Sequence, residues 1–231
     1  MSTKTNNLIV NVKPKSIFSE AIKTIRTNLQ FSAVGKEQKI SLITSSEMGD
    51  GKSFILANLA LAYAQEDKKV LIIDCDLRRG RQHEIFDLKN VASKGYSNLI
   101  LNYDKTTDLK KYVLKTNIDK VSLIPRGATP PNPIELLSSP ANAKILNELK
   151  KSYDKIFLDC PPVLGLSDAL VMTKYSNANI VVVSAKKTKF EMLEDVKKAF
   201  DKANATITGV VLNKIEQKNK KGYGYYAYYE Q

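Results

Sequence analysis

The sequence contains six short apolar runs, each nearly continuous rather than alternating with polar residues. They lie at residues 39–44, 70–74, 121–125, 155–159, 180–184 and 207–213. This pattern is typical of strands whose sheet is covered by helices on both faces. Longer helical patterns separate the runs, at residues 53–65, 133–153, 167–175 and 190–203. The alternation predicts a three-layer α/β fold with a mostly parallel central sheet.

Length and composition indicate a single globular unit. The chain has 231 residues, of which 43% are hydrophobic and 26% charged, close to ordinary globular values. We predict one domain over residues 1–216, with loose residues 1–16 leading into a helix at about 17–33 and a flexible tail at 217–231. The net charge of +12 fits either a solvated basic surface or an anionic partner: nucleotide phosphates, nucleic acid or an acidic membrane.

Cysteine and histidine content argues against two classes of protein. Only Cys75 and Cys160 occur, with a single histidine, His83. A disulfide framework is therefore excluded, a Cys/His metal site is not expected, and a reducing cytosol is the expected location. We expect no membrane span, since no apolar stretch approaches about 18 residues.

The segment at residues 45–53 reads Ser-Ser-Glu-Met-Gly-Asp-Gly-Lys-Ser. It follows an apolar run and begins a helical pattern, which is the setting of a P-loop that binds phosphate through backbone N–H groups. In a P-loop, Lys52 would reach the β- and γ-phosphates and Ser53 would bind Mg²⁺. Ser46 replaces the first glycine of the strict motif, so a turn without a ligand is the alternative. The expected nucleotide contacts in this segment are Met48, Gly49, Asp50, Gly51, Lys52, Ser53 and Phe54.

Acidic residues stand at the ends of two predicted strands. Asp74 and Asp76 lie at the end of one, and Asp159 ends another. Open α/β sheets bind ligands at the carboxyl ends of their strands, and a single acid after an apolar strand is typical of a Walker B aspartate. A charge-rich surface turn is the alternative for the first pair. Together with the loop, the acids predict a metal–nucleotide site.

Five of the 11 tyrosines crowd into the last residues of the chain. They are Tyr223, Tyr225, Tyr226, Tyr228 and Tyr229. A tail of phenols near an ATP site is a substrate for phosphoryl transfer. The alternatives are an aromatic tail without this role, or stacking of nucleic-acid bases on the rings. No other aromatic and basic platform occurs, so we expect no nucleic-acid partner.

These motifs resemble those of the bacterial protein tyrosine kinases encoded with capsule and exopolysaccharide export systems. The resemblance covers nearly the whole chain: residues 45–53 resemble Walker A, 70–79 the D-x-D-x-R motif called Walker A′, 155–162 Walker B, and 127–137 the PPNPxELL segment. Residues 19–28 resemble the family's E-x-x-R-x-x-R helix, with Glu20 and Arg26 matching and Lys23 replacing the first arginine. Cys160 and Met48 stand where the family usually has threonine and proline.

The resemblance implies a P-loop NTPase fold of the MinD/ParA-like branch that uses ATP and Mg²⁺. It implies Asp74 as the base that accepts the tyrosine proton, supported by Asp76, Asp159 and Ser53 around the metal. Asn213 stands where related proteins read adenine, although a simple strand-ending asparagine is the alternative. The sequence alone does not separate the roles of Asp74 and Asp76, and it leaves Arg78 as a phosphate contact, a subunit contact or a structural ion pair.

The resemblance also implies partners. In the family, the helix carrying Glu20, Lys23 and Arg26 packs subunits into a ring, so that the tail of one subunit is phosphorylated by another. The three residues share one helix arc of about 120°. A charged, solvent-facing surface of the helix is the alternative. Further implied partners are a membrane activator that regulates polysaccharide chain length, and a cognate phosphotyrosine phosphatase. The chain would then be cytoplasmic and recruited to the inner face of the cell membrane.

Two other functions remain open at this point. A switch ATPase of the MinD/ParA type shares the P-loop, but it usually carries a lysine in a KGG stretch where this chain has Ser45-Ser46-Glu47, and it lacks a tyrosine tail. A regulatory module that binds nucleotide without turnover is the second alternative.

Overall fold

The computed structural model describes residues 8–32, 38–89 and 91–216. In this part of the chain seven strands form one sheet in the order β3-β4-β2-β5-β1-β6-β7. The strands are β1 Ile40–Ser45, β2 Val70–Asp74, β3 Leu114–Lys115, β4 Val121–Ile124, β5 Lys155–Asp159, β6 Ala178–Ser184 and β7 Gly209–Asn213. All neighbours are parallel except β3 and β4. The predicted α/β class with a mostly parallel sheet is confirmed.

Helices cover both faces of this sheet. They are α1 Ile9–Val12, α2 Ile17–Ser32, α3 Lys52–Ala64, α4 Gln82–Ile85, α5 Tyr96–Leu101, α6 Pro133–Ser138, α7 Pro140–Leu149, α8 Asp168–Met172 and α9 Phe190–Lys202. Alternate residues of β2 lie in different cores: Ile72 packs with α1, α2 and α3, whereas Leu71 and Ile73 pack with α5 to α9. Because both faces are buried, the interior strands are mostly apolar.

The helix predicted over 133–153 is wrong as a single element, because it is two helices. Ser139 separates α6 from α7 in an extended conformation, with φ −64° and ψ 152°. Proline disfavours helical geometry in the residue before it, and Pro140 starts α7 at the position where its missing N–H costs nothing. The Ser139 side chain accepts a hydrogen bond from the Asn142 backbone N–H and caps α7.

The expectation of a loose amino terminus is wrong for its second half. Leu8 and Val10 are fully buried against α2 and α3, and the Val10 backbone N–H donates to Asn58 Oδ1 at 3.2 Å. The apolar run Leu8-Ile9-Val10 therefore holds this segment on the domain. Within the described residues, no helix has both the length and the apolar character needed to cross a bilayer.

Candidate active site

The loop between β1 and α3 has the backbone of a phosphate-binding turn. Gly49 and Gly51 have φ values of 90° and 98°, a region that favours glycine. A Cβ at Gly51 would lie only 2.3 Å from Asn213 Nδ2, so this position requires glycine for space as well. The Asn213 amide donates to the Asp50 carbonyl at 2.8 Å, which fixes the loop against the end of β7.

Ser46, the departure from the strict motif, stabilises the loop from inside. Its hydroxyl donates to Asp50 Oδ2 at 2.7 Å, and the same oxygen accepts the Glu47 backbone N–H at 2.8 Å. Ser46 and Asp50 are both buried. A side-chain hydrogen bond therefore holds the turn at the position where the strict motif has glycine.

Lys52 lies among carboxylates. Its Nζ is 3.1 Å from Asp159 Oδ1 and 3.6 Å from Asp76 Oδ2. Burial alone would lower the pKa of Lys52, but Asp159, Asp76 and Asp74 together raise it above its ordinary value. The lysine is therefore a fixed positive charge at the carboxyl ends of β2 and β5.

Asp74 is directly opposite Asp159 in the pairing of β2 with β5, and both are fully buried. Burial and the Asp159 charge raise the pKa of Asp74 well above its usual range. A Cβ at Gly80 would lie 2.1 Å from Asp74 Oδ1, so the segment that covers Asp74 fits there only with glycine. Asp76 is slightly more open, at 6% exposure, and its Oδ1 accepts the Arg79 backbone N–H at 2.9 Å.

Gln82, which sequence reasoning missed, joins three parts of this cluster. Its side-chain Nε2 donates to Asp159 Oδ2 at 2.8 Å and to the Ser53 carbonyl at 3.1 Å. Its backbone N–H donates to Asp74 Oδ2 at 3.0 Å. Nothing in the spacing of the motifs points to this residue, because the fold of residues 76–81 brings it back over the strand ends.

Other predicted nucleotide contacts lie around the loop. Met48 is 65% exposed, whereas the Phe54 ring packs on Phe18 of α2 with centroids 5.9 Å apart. Two lysines bind the loop carbonyls: Lys214 Nζ lies 2.6 Å from the Gly49 oxygen, and Lys187 Nζ 3.3 Å from the Met48 oxygen. The Phe54 ring thus contributes to the packing of α3 on α2.

Arg78 forms the structural ion pair that the sequence left as one alternative. Its Nε is 3.1 Å from Asp168 Oδ1, and Asp168 is fully buried. The two cysteines, Cys75 and Cys160, are also buried, and burial raises the pKa of the Cys75 thiol well above its usual range. Cys75 is therefore a packing group rather than a reactive thiolate.

The residues predicted for oligomerisation form contacts within the chain. Lys23 pairs with Glu20 at 2.7 Å. Arg26 donates to the Ala62 carbonyl at 2.8 Å and pairs with Glu66 at 2.8 Å, with its side chain 14% exposed. Arg26 therefore ties α2 to the end of α3, whereas the Glu20–Lys23 pair lies within α2. The five predicted phosphorylation sites, Tyr223 to Tyr229, lie outside the described residues.

Oxygen donors at the site suit a hard cation. Within residues 8–32, 38–89 and 91–216, no three His, Cys, Asp or Glu side chains are arranged to hold a metal by themselves. Mg²⁺ is commonly bound by one or two carboxylates together with substrate phosphates. The Ser53 hydroxyl and the Asp76 and Asp159 carboxylates fit such a shared site.

Comparison with known proteins agrees with this geometry. Residues 38–212 match the AAA domain family. The chain is 41% identical to CapB of Staphylococcus aureus over 221 residues, which is 95% of each chain. It is 35% identical to YwqD, a tyrosine-protein kinase of Bacillus subtilis, over 96% of this chain and 91% of YwqD.

Solved structures give the same result. The kinase domain of the Escherichia coli tyrosine kinase ETK matches with a TM-score of 0.87 and 30% identity, over 97% of this chain and 86% of that one. The septum site-determining protein MinD of Pyrococcus horikoshii, solved with Mg-ADP, matches with a TM-score of 0.60 and 25% identity, over 75% and 69% of the two chains. The P-loop fold of the MinD-like branch is confirmed, and the chain belongs to the family of bacterial protein tyrosine kinases.

Proposed function

We propose that the protein transfers the γ-phosphoryl group of Mg-ATP to tyrosines in the carboxyl-terminal tail of a neighbouring copy, and so regulates capsular or exopolysaccharide synthesis and export. The observation that carries this proposal is the cluster of Lys52, Asp76 and Asp159 beside a glycine-containing loop, in a chain of the tyrosine kinase family.

The loop and its lysine bind the triphosphate. Backbone N–H groups of residues 48–54 face the phosphates, and Lys52 neutralises their charge. Ser53, Asp76 and Asp159 hold Mg²⁺, which neutralises charge on the transferred group when it is bound. Asn213, beside the loop, contacts the adenine.

A carboxylate accepts the phenolic proton as the new bond to phosphorus forms. Asp74 has this role in our proposal, since it stands at the end of β2 in the D-x-D-x-R motif. Because Gly80 and Gln82 cover it, this segment moves before a tyrosine reaches Asp74. Asp76, the more open acid, is the alternative base. The variants Asp74→Asn and Asp76→Asn distinguish these two candidate bases. The variant that has lost the base still binds Mg-ATP but transfers no phosphate to tyrosine.

Assembly completes the active unit. Copies associate in a ring through the face of α2 that carries Glu20, Lys23 and Arg26, which brings one tail to another copy's site. Each phosphate then adds about −1.5 to −2 charges to the tail, so the phosphorylated tail leaves the anionic nucleotide site and the ring dissociates. A membrane activator recruits the kinase to the inner face of the cell membrane, and a phosphotyrosine phosphatase resets it.

The test is phosphate mapping by mass spectrometry after incubation with Mg-ATP and the activator's cytoplasmic segment. We expect phosphate on tyrosines between Tyr223 and Tyr229, lost in Lys52→Met and kept in Lys151→Met, a change of an exposed lysine. Release of free phosphate with an unmodified tail would identify a switch ATPase instead. Nucleotide binding with neither product would identify an idle binding module.

A further inference from the structure

Gln82 is a fully buried amide whose orientation is fixed by its partners. Both partners of Nε2, Asp159 Oδ2 and the Ser53 carbonyl, are pure acceptors. An ionised carboxylate and a carbonyl cannot donate, so the NH₂ group, and not the oxygen, faces them. The amide therefore connects the end of β5 to the first turn of α3.

Asp159 has both of its oxygens occupied in this arrangement. Lys52 binds Oδ1 at 3.1 Å and Gln82 binds Oδ2 at 2.8 Å. Under the proposed function, Lys52 turns its charge toward the ATP phosphates and releases Oδ1 for the metal. Gln82 remains on Oδ2 and keeps the carboxylate from rotating.

The neutrality of the amide matters as much as its geometry. Three carboxylates, Asp74, Asp76 and Asp159, surround the one ammonium group of Lys52. A glutamate at position 82 would add a further carboxyl group to this cluster and remove the donor. A glutamine supplies the hydrogen bonds without changing this balance.

We propose that Gln82 is a positioning residue that holds Asp159 in the orientation in which it binds Mg²⁺. The inference rests on the proposed function for the step in which Lys52 exchanges partners. It adds a residue outside the three Walker motifs, acting through Asp159 rather than on the substrate. Groups that orient a metal-ligating carboxylate typically change metal affinity or activity 10- to 100-fold when they are removed.

The experiment uses the full chain as wild type, Gln82→Met and Gln82→Glu, with Gln65→Met as the matched control. Gln65 is exposed beyond the end of α3. The main measurement is the Mg²⁺ concentration that half-saturates the metal-dependent binding of a fluorescent ADP analogue. ADP affinity without Mg²⁺, melting temperature and tyrosine phosphorylation are measured alongside.

We expect Gln82→Met to raise the half-saturating Mg²⁺ concentration by about 10-fold and to slow phosphorylation about 10- to 100-fold. The affinity for ADP without Mg²⁺ stays within about twofold of the wild-type value. Gln82→Glu raises the half-saturating Mg²⁺ concentration more than Gln82→Met does. If Gln82 were only structural, its replacement would lower the melting temperature, or lower the affinity for ADP both with and without Mg²⁺. The half-saturating Mg²⁺ concentration would then stay unchanged.

The inference is overturned if both folded variants keep the wild-type Mg²⁺ requirement, or if neither variant folds, since Gln82 would then be structural. If only one variant folds, its Mg²⁺ requirement decides. Failure of the proposed function looks different: wild type would bind ADP in a Mg²⁺-dependent manner but phosphorylate no tyrosine, and the Mg²⁺ titration would still decide the role of Gln82.

Discussion

Lys52 and Lys155 lie near opposite ends of strand β5, with Lys155 buried and the Lys52 side chain 12% exposed. Lys52 lies against Asp159 at the carboxyl end and has a raised pKa. Lys155 begins the strand, and burial lowers its pKa from 10.5 to about 8. Within the described residues no carboxylate pairs with Lys155; its Nζ donates to the Gln38 carbonyl at 2.9 Å and lies over the Tyr63 ring.

The difference shows that burial alone does not determine the charge of a lysine. Desolvation lowers the pKa of both side chains, but only Lys52 has nearby carboxylates that outweigh it. One end of the sheet therefore combines a lysine with acidic side chains, an arrangement suited to a charged ligand. The opposite end holds a lysine whose protonated form destabilises the fold.

Removal of Lys52 gives the largest expected effect. In Lys52→Met the buried carboxylates lose their cation, and breaking a buried ion pair costs about 3–5 kcal/mol. We expect the free energy of unfolding in urea to fall by about that amount, with tail phosphorylation abolished. If the stability of Lys52→Met were unchanged, the buried acids would not depend on Lys52 for stabilisation, and the contrast with Lys155 would be wrong.

The cover over Asp74 gives the next largest effect. Gly80→Ala places a methyl group 2.1 Å from Asp74 Oδ1, and overpacking of this kind costs about 1–3 kcal/mol. The matched control is Gly209→Ala, where a Cβ meets nothing within 4 Å. Chemical denaturation compares the two, and equal stabilities would show that residues 76–81 do not press on Asp74.

Replacement of Lys155 has the smallest expected effect on the free energy of unfolding, and it stabilises the fold rather than destabilising it. Lys155→Met removes a buried charge but also the hydrogen bond to the Gln38 carbonyl, so we expect a net stabilisation of about 1 kcal/mol at pH 7. Because the folded pKa of about 8 is below the unfolded value of 10.5, the unfolded chain binds more protons between these values. Wild-type stability contributed by this group therefore rises with pH across this window.

The variant lacks this rise, so its advantage shrinks as the pH approaches 10. Urea midpoints of both proteins at pH 7, 8, 9 and 10 measure the difference. A constant difference across the series would contradict a lowered pKa for Lys155 and remove the contrast with Lys52.

The sequence predicted the fold and the loop because their signals are local. Apolar runs ending in Asp74 and Asp159 placed both acids at one edge of the sheet, and the glycines before Lys52 identified the turn. The break between α6 and α7 at Ser139-Pro140 also had a local signal, the proline. It was not predicted because the helical pattern continues on both sides of it.

Gln82 and Lys155 were not predictable in the same way. Gln82 reaches Asp159 only because residues 76–81 fold back over the strand ends, a path that depends on the contact of Gly80 with Asp74. Lys155 looks like the polar start of a strand, but its ammonium group packs against the rings of Tyr63 and Phe157. Gln82 depends on Asp159, and Lys155 depends on Tyr63, side chains that are distant in sequence.

The hydrogen bond between Lys214 and the phosphate loop limits how far the tail tyrosines can lie from this site. Its Nζ lies 2.6 Å from the Gly49 oxygen, so the chain is held beside this loop at Lys214. At roughly 3.4 Å per residue, the covalent chain allows Tyr223 to lie at most about 30 Å from Lys214 and Tyr229 at most about 50 Å. Under the proposed function, an active site of a neighbouring copy beyond those distances cannot receive these tyrosines, and the tyrosines nearest the end of the chain can reach the most neighbours.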